Sequence, residues 1–253
     1  MKNLIFITCF SILIYACGTN KVEEVSTTEK KVNTDSIPVA KDTITFLIEP
    51  IDEKYYCKQT SAKNYCNQSK NAENACDSLS EKRLIDKNSS IMSRHGEELI
   101  IHAKTGDVIF KNNSDENSDG YLSYMAWEVN ANFITIGIYY YESFEFMVVN
   151  VETGKSFKTW GMPIFNNNHT MAIAGNSDLF AGFSNNGIQL FAQDETGWNL
   201  KMQKIIDDWG PVNLFWLNDS VILSKKCIVD QTDTISGIRT EFVKINLKRE
   251  KLN

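Results

Sequence analysis

In NVETGKSFKTWG, residues 150–161, a strand-like run ends, a Thr-Gly pair turns the chain, and a second strand-like run begins. The same pattern occurs in HAKTGDVIF, residues 102–110, and in AQDETGWNLKMQ, residues 192–203. The turn glycines lie 48 and 43 residues apart and are Gly106, Gly154 and Gly197. One Thr-Gly turn is common in hairpins, but its regular recurrence predicts a repeated structural unit.

One repeat unit contains four strand-like runs rich in β-branched and aromatic residues. They are YLSYMAWEV, NFITIGIYYY, SFEFMVVNV and KSFKTW, residues 121–129, 132–141, 143–151 and 155–160. Both alternating faces of Phe133–Tyr141 carry large apolar or aromatic side chains, so both sides of this strand are expected to be covered. Stacked four-stranded sheets bury their middle strands in this way, and the pattern is similar to that of β-propeller blades.

We therefore predict an all-β domain over residues 42–253, built from β-propeller-like repeats of four-stranded antiparallel sheets. TITFLIEP, residues 43–50, is expected to begin the first sheet, and FVKINLKRE, residues 242–250, lies about one period after the last turn. The Trp-Gly pairs at 160–161 and 209–210 are 49 residues apart and support the same period. About four repeats fit, which is the lower limit for a closed ring, so an incomplete ring and a twisted β-sandwich are the alternatives.

The first sixteen residues have the parts of a secretory signal. Met1-Lys2-Asn3 is a short basic start, Leu4–Tyr15 is an apolar run, and Ala16 is a small residue before the expected cleavage site. A membrane-spanning helix needs about 20 apolar residues, so this run is too short to span a bilayer. The sequence Ile14-Tyr15-Ala16-Cys17 resembles the lipobox of bacterial lipoproteins.

This resemblance implies that a diacylglycerol is attached to the sulfur of Cys17 and that the chain is cut before it. The lipid bilayer is then a partner through acyl chains, each buried CH₂ contributing about 0.8 kcal/mol. Residues 17–41 are polar and contain no aromatic residue, so they are expected to form a flexible tether. Lys21–Glu24 is loosely similar to acidic signals that send some Bacteroidota lipoproteins to the cell surface.

We therefore expect a lipid-anchored protein of the bacterial cell envelope, held at the outer membrane on its periplasmic face or at the cell surface. The alternative is an ordinary secretory signal with a chance cysteine at Cys17. The whole chain has 26 Lys and Arg against 32 Asp and Glu, a net charge of -6. A nucleic acid partner is not expected, because this charge does not attract a phosphate backbone.

Four further cysteines remain after the anchor, and they are Cys57, Cys66, Cys76 and Cys227. An even number of thiols in an exported chain indicates disulfides, and four cysteines allow three pairings. The first three lie in a polar stretch, which predicts a small Cys-rich insertion at about residues 55–90. We favour one bridge among these three, with the third cysteine paired to Cys227. A free Cys227 in a strand is the alternative, and zinc is not expected because no C-x-x-C unit is present.

The best metal candidates are Asp115, Asn117 and Asp119, which precede Gly120 as in the first half of a calcium loop. The position that should supply a bidentate carboxylate is Ala126, so an ordinary exposed loop is favoured and no metal or cofactor is expected. The sequence has no G-x-S-x-G motif and no phosphate-binding glycine loop.

No catalytic residue is predicted either. The three histidines are His95, His102 and His169. They do not have the spacing of metal ligands, and no acidic residue lies at a sequence interval from them that indicates a catalytic partner. Several aromatic residues could line a recognition face because rigid rings give large contact area. They are Tyr139, Tyr140, Tyr141, Trp160, Trp198, Trp209 and Trp216.

The sequence thus predicts a non-enzymatic binding module that recognises a protein or a glycan through loops at one end of its sheets. The alternatives are an envelope hydrolase with a scattered active site and a structural subunit of an envelope complex.

Overall fold

The computed structural model describes residues 43–61, 78–114, 120–179, 181–229 and 237–250, and the structural statements below concern them. They belong to one contact unit, Ala40–Asn253. They form four antiparallel sheets of three or four strands, so the predicted all-β class is confirmed. The predicted signal peptide and tether, residues 1–16 and 17–41, lie outside the described residues.

Fifteen strands and two helices make up the regular structure of the described residues. In chain order they are β1 (Thr43–Ile51), α1 (Glu53–Gln59), α2 (Ser78–Lys87), β2 (Met92–His95), β3 (Glu98–Ala103), β4 (Gly106–Lys111), β5 (Ser123–Asn130), β6 (Phe133–Tyr139), β7 (Phe144–Asn150), β8 (Ser156–Thr159), β9 (Pro163–Phe165), β10 (Met171–Asn176), β11 (Gly187–Asp194), β12 (Gly197–Ile205), β13 (Gly210–Asn218), β14 (Val221–Val229) and β15 (Ile238–Glu250). Strands β5 to β8 match the four runs of the predicted repeat unit, which confirms those four predictions.

The four sheets follow one another along the chain as antiparallel meanders. Sheet 1 is β2-β3-β4, sheet 2 is β5-β6-β7-β8, and sheet 3 is β9-β10-β11-β12. Sheet 4 contains β13-β14-β15 and is completed by β1, from the opposite end of the described chain. Thr43 lies opposite Glu250 and Ile51 lies opposite Phe242, so β1 runs antiparallel along residues 242–250 of β15.

The prediction that residues 43–50 begin the first sheet is therefore wrong. The side-chain pattern of a strand indicates which of its faces are buried, but it does not identify the neighbouring strand. Strand β15 is 13 residues long, and without β1 its edge would present a long row of unpaired backbone groups. Pairing with β1 satisfies those groups.

The three Thr-Gly turns occupy one structural position, as the repeat predicts. Each turn joins the last two strands of a sheet, namely β3 to β4, β7 to β8, and β11 to β12. The φ angles of Gly106, Gly154 and Gly197 are 130°, 67° and 123°, a region that residues with a Cβ rarely adopt. In sheet 4, β15 occupies the position that β3, β7 and β11 occupy in the other sheets, and β1 occupies the position of the last strand.

Sheet 1 has three strands among the described residues, and helix α2 packs against its first strand, β2, and against β5 of sheet 2. Glu81 on this helix is buried and accepts hydrogen bonds from Arg94 Nη2 at 2.7 Å and from the backbone N–H of Ala126 at 2.7 Å. A buried carboxylate is tolerated only when it is paired in this way. The ion pair therefore holds the helix between the two sheets.

The sequence analysis predicts neither helix; α2 lies within the predicted Cys-rich insertion, and α1 overlaps its start. Helix α1 begins after Asp52, whose side chain accepts a hydrogen bond from the backbone N–H of Tyr55 at 2.7 Å. Residues 62–77 lie outside the described residues, so the insertion at residues 55–90 stays a prediction.

The sheets pack through two aliphatic cores. One lies between sheets 1 and 2 and includes Met92, Leu99, Ile101, Ile134 and Ile136. The other lies between sheets 3 and 4 and includes Ile173, Ile188, Leu190, Trp216 and Ile222. Sheets 2 and 3 meet through aromatic rings, which are Phe133, Phe157, Phe165, Phe191 and Trp198. Residues Phe133–Ile138 of β6 are all buried, which confirms that this strand is covered on both sides.

Candidate functional site

The ends of sheets 2, 3 and 4 differ in character and define two regions. The end that carries the Thr-Gly turns at residues 153–154 and 196–197 is called the turn end. We call the opposite one the cleft end, where loops 140–143 and 177–186 connect the two middle strands of sheets 2 and 3. Two clefts open at the cleft end, one apolar and one polar.

The apolar cleft has a volume of about 520 Å³ and lies where strands of sheets 2, 3 and 4 meet. Its principal lining residues are Trp127, Phe144, Phe146, Met162, Pro211 and Leu214. Trp127 is the residue at which the register of β5 shifts against β6, and its ring meets Phe146 edge-on with the centroids 5.6 Å apart. A bulge redirects a side chain, and here it places an indole at the cleft. Aliphatic and aromatic carbon therefore dominates this lining.

The polar cleft has a volume of about 390 Å³ and lies beside Trp160 and the loop that carries Phe183. Tyr140 donates its hydroxyl hydrogen to Glu145 Oε2 at 3.0 Å, and Lys158 Nζ lies 3.2 Å from the same hydroxyl oxygen. Burial raises the pKa of Tyr140, and the hydrogen bond with Tyr140 raises the pKa of Lys158. At neutral pH the phenol and the ammonium therefore keep their protons, and both are hydrogen-bond donors.

Strand β7 separates the two clefts because its side chains alternate. Phe144 and Phe146 line the apolar cleft, whereas Glu145 between them lines the polar cleft. Side chains at successive positions of a strand point to opposite faces. One short segment therefore presents both kinds of surface to a ligand.

Large aromatic side chains are exposed around the clefts. Tyr141 is 75% exposed, Phe183 is 54% exposed and Phe144 is 43% exposed. Exposed rings that cluster beside clefts are typical of recognition surfaces. They contrast with Trp209 and Trp216, which were also candidates for a recognition face but are buried in the core.

The loop that carries Phe183 is fixed by Asp178. The carboxylate of Asp178 accepts hydrogen bonds from the backbone N–H of Ser184 at 2.7 Å and of Gly182 at 3.0 Å. Burial raises the pKa of Asp178, but these hydrogen bonds outweigh it and the pKa is lowered. Asn186, at the end of the loop, donates to the carbonyl oxygen of Trp209 at 2.9 Å. The rim of the polar cleft is thus held by bonds within the loop and to the next sheet.

The sequence identified only part of this region. Of the predicted recognition aromatics, Tyr140 and Trp160 line the polar cleft, and Tyr141 is exposed beside them. Sequence reasoning missed Trp127, Phe144 and Phe183. The first two lie in strands whose two faces look alike, whereas Phe183 follows Leu179 and Phe180 in a loop whose other residues are small or polar, and it could have been noticed.

The turn end also contains a cavity, of about 510 Å³, lined by the turns of sheets 2 and 3. Two of its charged groups, Lys155 and Asp194, are already paired, since Lys155 Nζ donates to the carbonyl oxygen of Thr196 at 3.1 Å and Lys201 Nζ donates to Asp194 at 2.6 Å. The hydrogen bond from Lys201 holds the pKa of Asp194 well below its usual range. These groups stabilise the turns, so this cavity is the weaker candidate.

The histidines lie in unlike surroundings. His169 Nε2 is 2.9 Å from Asn130 Oδ1, a contact between neighbouring sheets, and His95 is exposed. His102 Nδ1 lies 2.9 Å from Asp107 Oδ1, and its Nε2 lies 3.0 Å from Ser93 Oγ. The expectation of no acidic partner is therefore wrong for His102. Its partner lies directly opposite, across the hairpin of β3 and β4, at a separation that suggested no contact.

The predicted bridge between the third clustered cysteine and Cys227 is also wrong, because Cys227 is a free thiol. Its cross-strand neighbours are Gly210 and Thr240, and a disulfide requires a cysteine at such a distance. Burial raises the pKa of this thiol, so it is the less reactive protonated form at neutral pH. Cys57 is disulfide-bonded, while Cys66 and Cys76 lie outside the described residues, as does Cys17.

The calcium candidates Asp115, Asn117 and Asp119 lie outside the described residues as well. Within the part of the chain that the structure describes, no group of three or more His, Cys, Asp or Glu side chains is arranged to hold a metal ion. In that same part, no helix is both long and apolar enough to cross a membrane.

No protein-family model, curated protein or solved structure matches this chain. Function is therefore inferred from its residues and their geometry.

Proposed function

We propose that this chain is a lipid-anchored binding module of a bacterial cell envelope, and that it binds its ligand at the cleft end. The observation that carries this proposal is the contrast in side chains at the two ends of the same sheets. At one end the exposed rings of Phe144 and Phe183 line the two clefts and Tyr141 is exposed in the loop before Phe144, whereas polar groups at the other end bond to one another. Uncovered aromatic surface is costly in water unless a partner covers it.

In this proposal the four sheets are the blades of a small β-propeller-like ring. Support comes from the meander order of the sheets, from the shared position of the Thr-Gly turns and from β1, which completes the last blade. Contacts join sheet 1 to sheet 2, sheet 2 to sheet 3, and sheet 3 to sheet 4. Helix α2 precedes the three strands of the first blade and packs against β2 and against β5 of the next blade.

The point at which the chain enters the domain also supports an anchored binding module. Thr43 is the first described residue and pairs with Glu250. This pair lies at the turn end of the domain, beyond the turn that joins β13 and β14. Pro211 and Leu214, which line the apolar cleft, lie toward the other end of the same sheet. A tether over residues 17–41 would therefore join the domain away from the clefts and leave them accessible.

The lining of the clefts favours a protein ligand. Met162, Pro211 and Leu214 give the apolar cleft an aliphatic surface that suits an apolar side chain of a partner, and the adjoining polar cleft offers the Glu145 carboxylate, which can accept further hydrogen bonds. Buried apolar anchors beside hydrogen-bonding groups are typical of protein interfaces.

Affinity capture from a native envelope extract tests this proposal. The full chain in detergent is compared with the double variant Phe144→Ala/Phe183→Ala and with the control Leu200→Ala, whose leucine is 45% exposed on β12 outside the clefts. We expect the wild type and the control to capture the same protein. The amount captured by the double variant should be at least tenfold lower. Equal capture by all three, or a captured glycan with no protein, would contradict the proposed ligand.

The anchor is tested separately by Cys17→Ser. Diacylglycerol contributes many buried CH₂ groups, so the wild type should partition into the detergent phase and the variant into the aqueous phase. Mass spectrometry of the native amino terminus should show the acyl chains on Cys17. An unmodified amino terminus would contradict the lipobox interpretation and leave the binding proposal standing.

A further inference from the structure

Three side chains form a hydrogen-bonded chain across one face of sheet 1, separate from the clefts. Ser93 lies on β2, His102 on β3 and Asp107 at the start of β4. The Ser93 Oγ to His102 Nε2 distance is 3.0 Å, and the His102 Nδ1 to Asp107 Oδ1 distance is 2.9 Å. An ionised carboxylate only accepts hydrogen bonds, so it fixes the imidazole hydrogen on Nδ1. Nε2 is then free to accept the hydroxyl hydrogen of Ser93.

This face of the sheet is open to solvent. Along β3 the residues Leu99, Ile101 and Ala103 are buried, while the alternate residues that include His102 are partly exposed. The side chains of His102 and Asp107 are 35% and 53% exposed. A small substrate can therefore reach the chain of hydrogen bonds without a rearrangement of the fold.

Apolar side chains lie directly beside Ser93. The strand register places Ile100 opposite Ser93 and places Ile109 opposite Ile100, so the three form one row across the sheet. Ile109 is 57% exposed. The row offers an apolar surface to a group attached to the serine.

We propose that Ser93 is an activated nucleophile that takes acyl groups from carboxylic esters. A nucleophile, a base within hydrogen-bond reach and a third group that orients the base are the three parts that activate a serine. Cross-strand polar contacts are common on exposed sheets, but a serine, an imidazole and a carboxylate in this order, with both distances near 3 Å, have the hydrogen-bond arrangement that activates a serine nucleophile.

The proposed reaction is balanced by the side chains and water. Ser93 Oγ attacks the carbonyl carbon while its proton passes to His102 Nε2; the carbon–oxygen bond to the alcohol breaks, and the alcohol leaves with that proton. Water then attacks the acyl group, gives a proton to His102 and releases the carboxylic acid, and the proton returns to Ser93. Asp107 is a positioning residue, because it acts through the imidazole. The row of isoleucines suits a short apolar acyl chain.

Covalent labelling with a fluorophosphonate probe tests this proposal on the full chain in detergent. Mass spectrometry should locate the label on Ser93, and Ser93→Ala should lose it. His102→Gln should slow labelling about 100-fold, the range expected for loss of a general base. Ser123→Ala, which removes another half-buried strand serine, is the matched control and should label like the wild type.

The positioning role of Asp107 has its own readout. Asp107→Asn should slow labelling about tenfold or more with no change in the thermal unfolding midpoint, whereas a purely structural role would shift the midpoint and leave the labelling rate of the folded protein unchanged. Hydrolysis of p-nitrophenyl butyrate should follow the same order among the variants. Absence of label on Ser93 in the wild type, or an unchanged rate in His102→Gln, would overturn the proposal. The cleft variant Phe144→Ala/Phe183→Ala should label normally, so the two proposals fail independently.

Discussion

The turn end and the cleft end are built from the same strands, yet they use their side chains in opposite ways. At the turn end neighbouring sheets bond to one another: Lys104 N donates to the carbonyl oxygen of Val151 at 2.8 Å, and Lys155 reaches Thr196. At the cleft end the loops differ in length, and aromatic rings remain exposed. The repeat is kept where it serves structure and is broken where surface is available for a ligand. We therefore expect variants at the turn end to affect stability and variants of the exposed cleft residues to affect binding.

The cleft end nevertheless has its own structural requirement, which gives the largest effect we predict. Gly161 begins the connection into sheet 3, and a Cβ there would overlap the carbonyl oxygen of Gly175. Since backbone atoms cannot yield as a side chain does, Gly161→Ala should lower the free energy of unfolding by about 3 kcal/mol. Chemical denaturation of the purified protein measures this change.

Gly197→Ala at the turn end is the matched control. Its φ of 123° is strained for alanine, but the nearest side-chain atom to the added Cβ is Lys155 Cδ at 3.8 Å. The cost should be about 1 kcal/mol, from the backbone alone. If Gly161→Ala were no more destabilising than this control, the close packing at the cleft end would be refuted.

The next effect concerns the buried polar bonds of the turn end. Asn166 is 1% exposed, accepts hydrogen bonds from Thr170 N and Met171 N at 3.0 Å each, and donates to Asp219 at 2.9 Å. Asn166→Ala leaves these groups without their partner and should cost about 2 kcal/mol. The measurement is again chemical denaturation.

Asn168→Ala, in the same loop, provides the comparison for Asn166. Asn168 is exposed, and its bond to Asp219 is 3.4 Å long. Water can replace such contacts, so the loss should be about 0.5 kcal/mol or less. Equal losses for the two asparagines would show that the turn end is not held by buried polar bonds.

The sequence predicted the repeating parts of this molecule and missed those set by long-range contacts. Strands β5 to β8 and the Thr-Gly turns follow from residue type and period alone. The pairing of β1 with β15 does not, because strand partners 200 residues apart leave no local signal. The contact of His102 with Asp107 depends on register across a hairpin, and the position of Trp127 depends on a bulge. The sequence could not distinguish the exposed rings at the clefts from the aromatic residues of the core, because the burial of a ring depends on which sheet packs against it.

Acid should weaken both ends through carboxylates that are held in their ionised form. The pKa of Asp178 at the cleft end and that of Asp194 at the turn end are lowered in the folded protein. A lowered folded pKa contributes stability above the unfolded pKa, near 4, and this contribution is lost as the pH falls through the folded value. The thermal midpoint of Asp178→Asn should therefore fall less between pH 5 and pH 3 than that of the wild type, since this variant has no carboxylate to protonate. Parallel midpoint curves for both proteins would contradict the bonding of this loop.

The smallest effect on stability should come from the most exposed ring of the cleft end. Tyr141 is 75% exposed, so Tyr141→Ala should change the free energy of unfolding by about 0.5 kcal/mol or less. Phe133, which is 6% exposed and stacks on Phe165 with centroids 5.0 Å apart, is the contrasting aromatic, and Phe133→Ala should cost about 3 kcal/mol. Denaturation of the two variants side by side decides the matter. A large loss in Tyr141→Ala would mean that the exposed rings hold the fold together, and surface that holds the fold is not free for a partner.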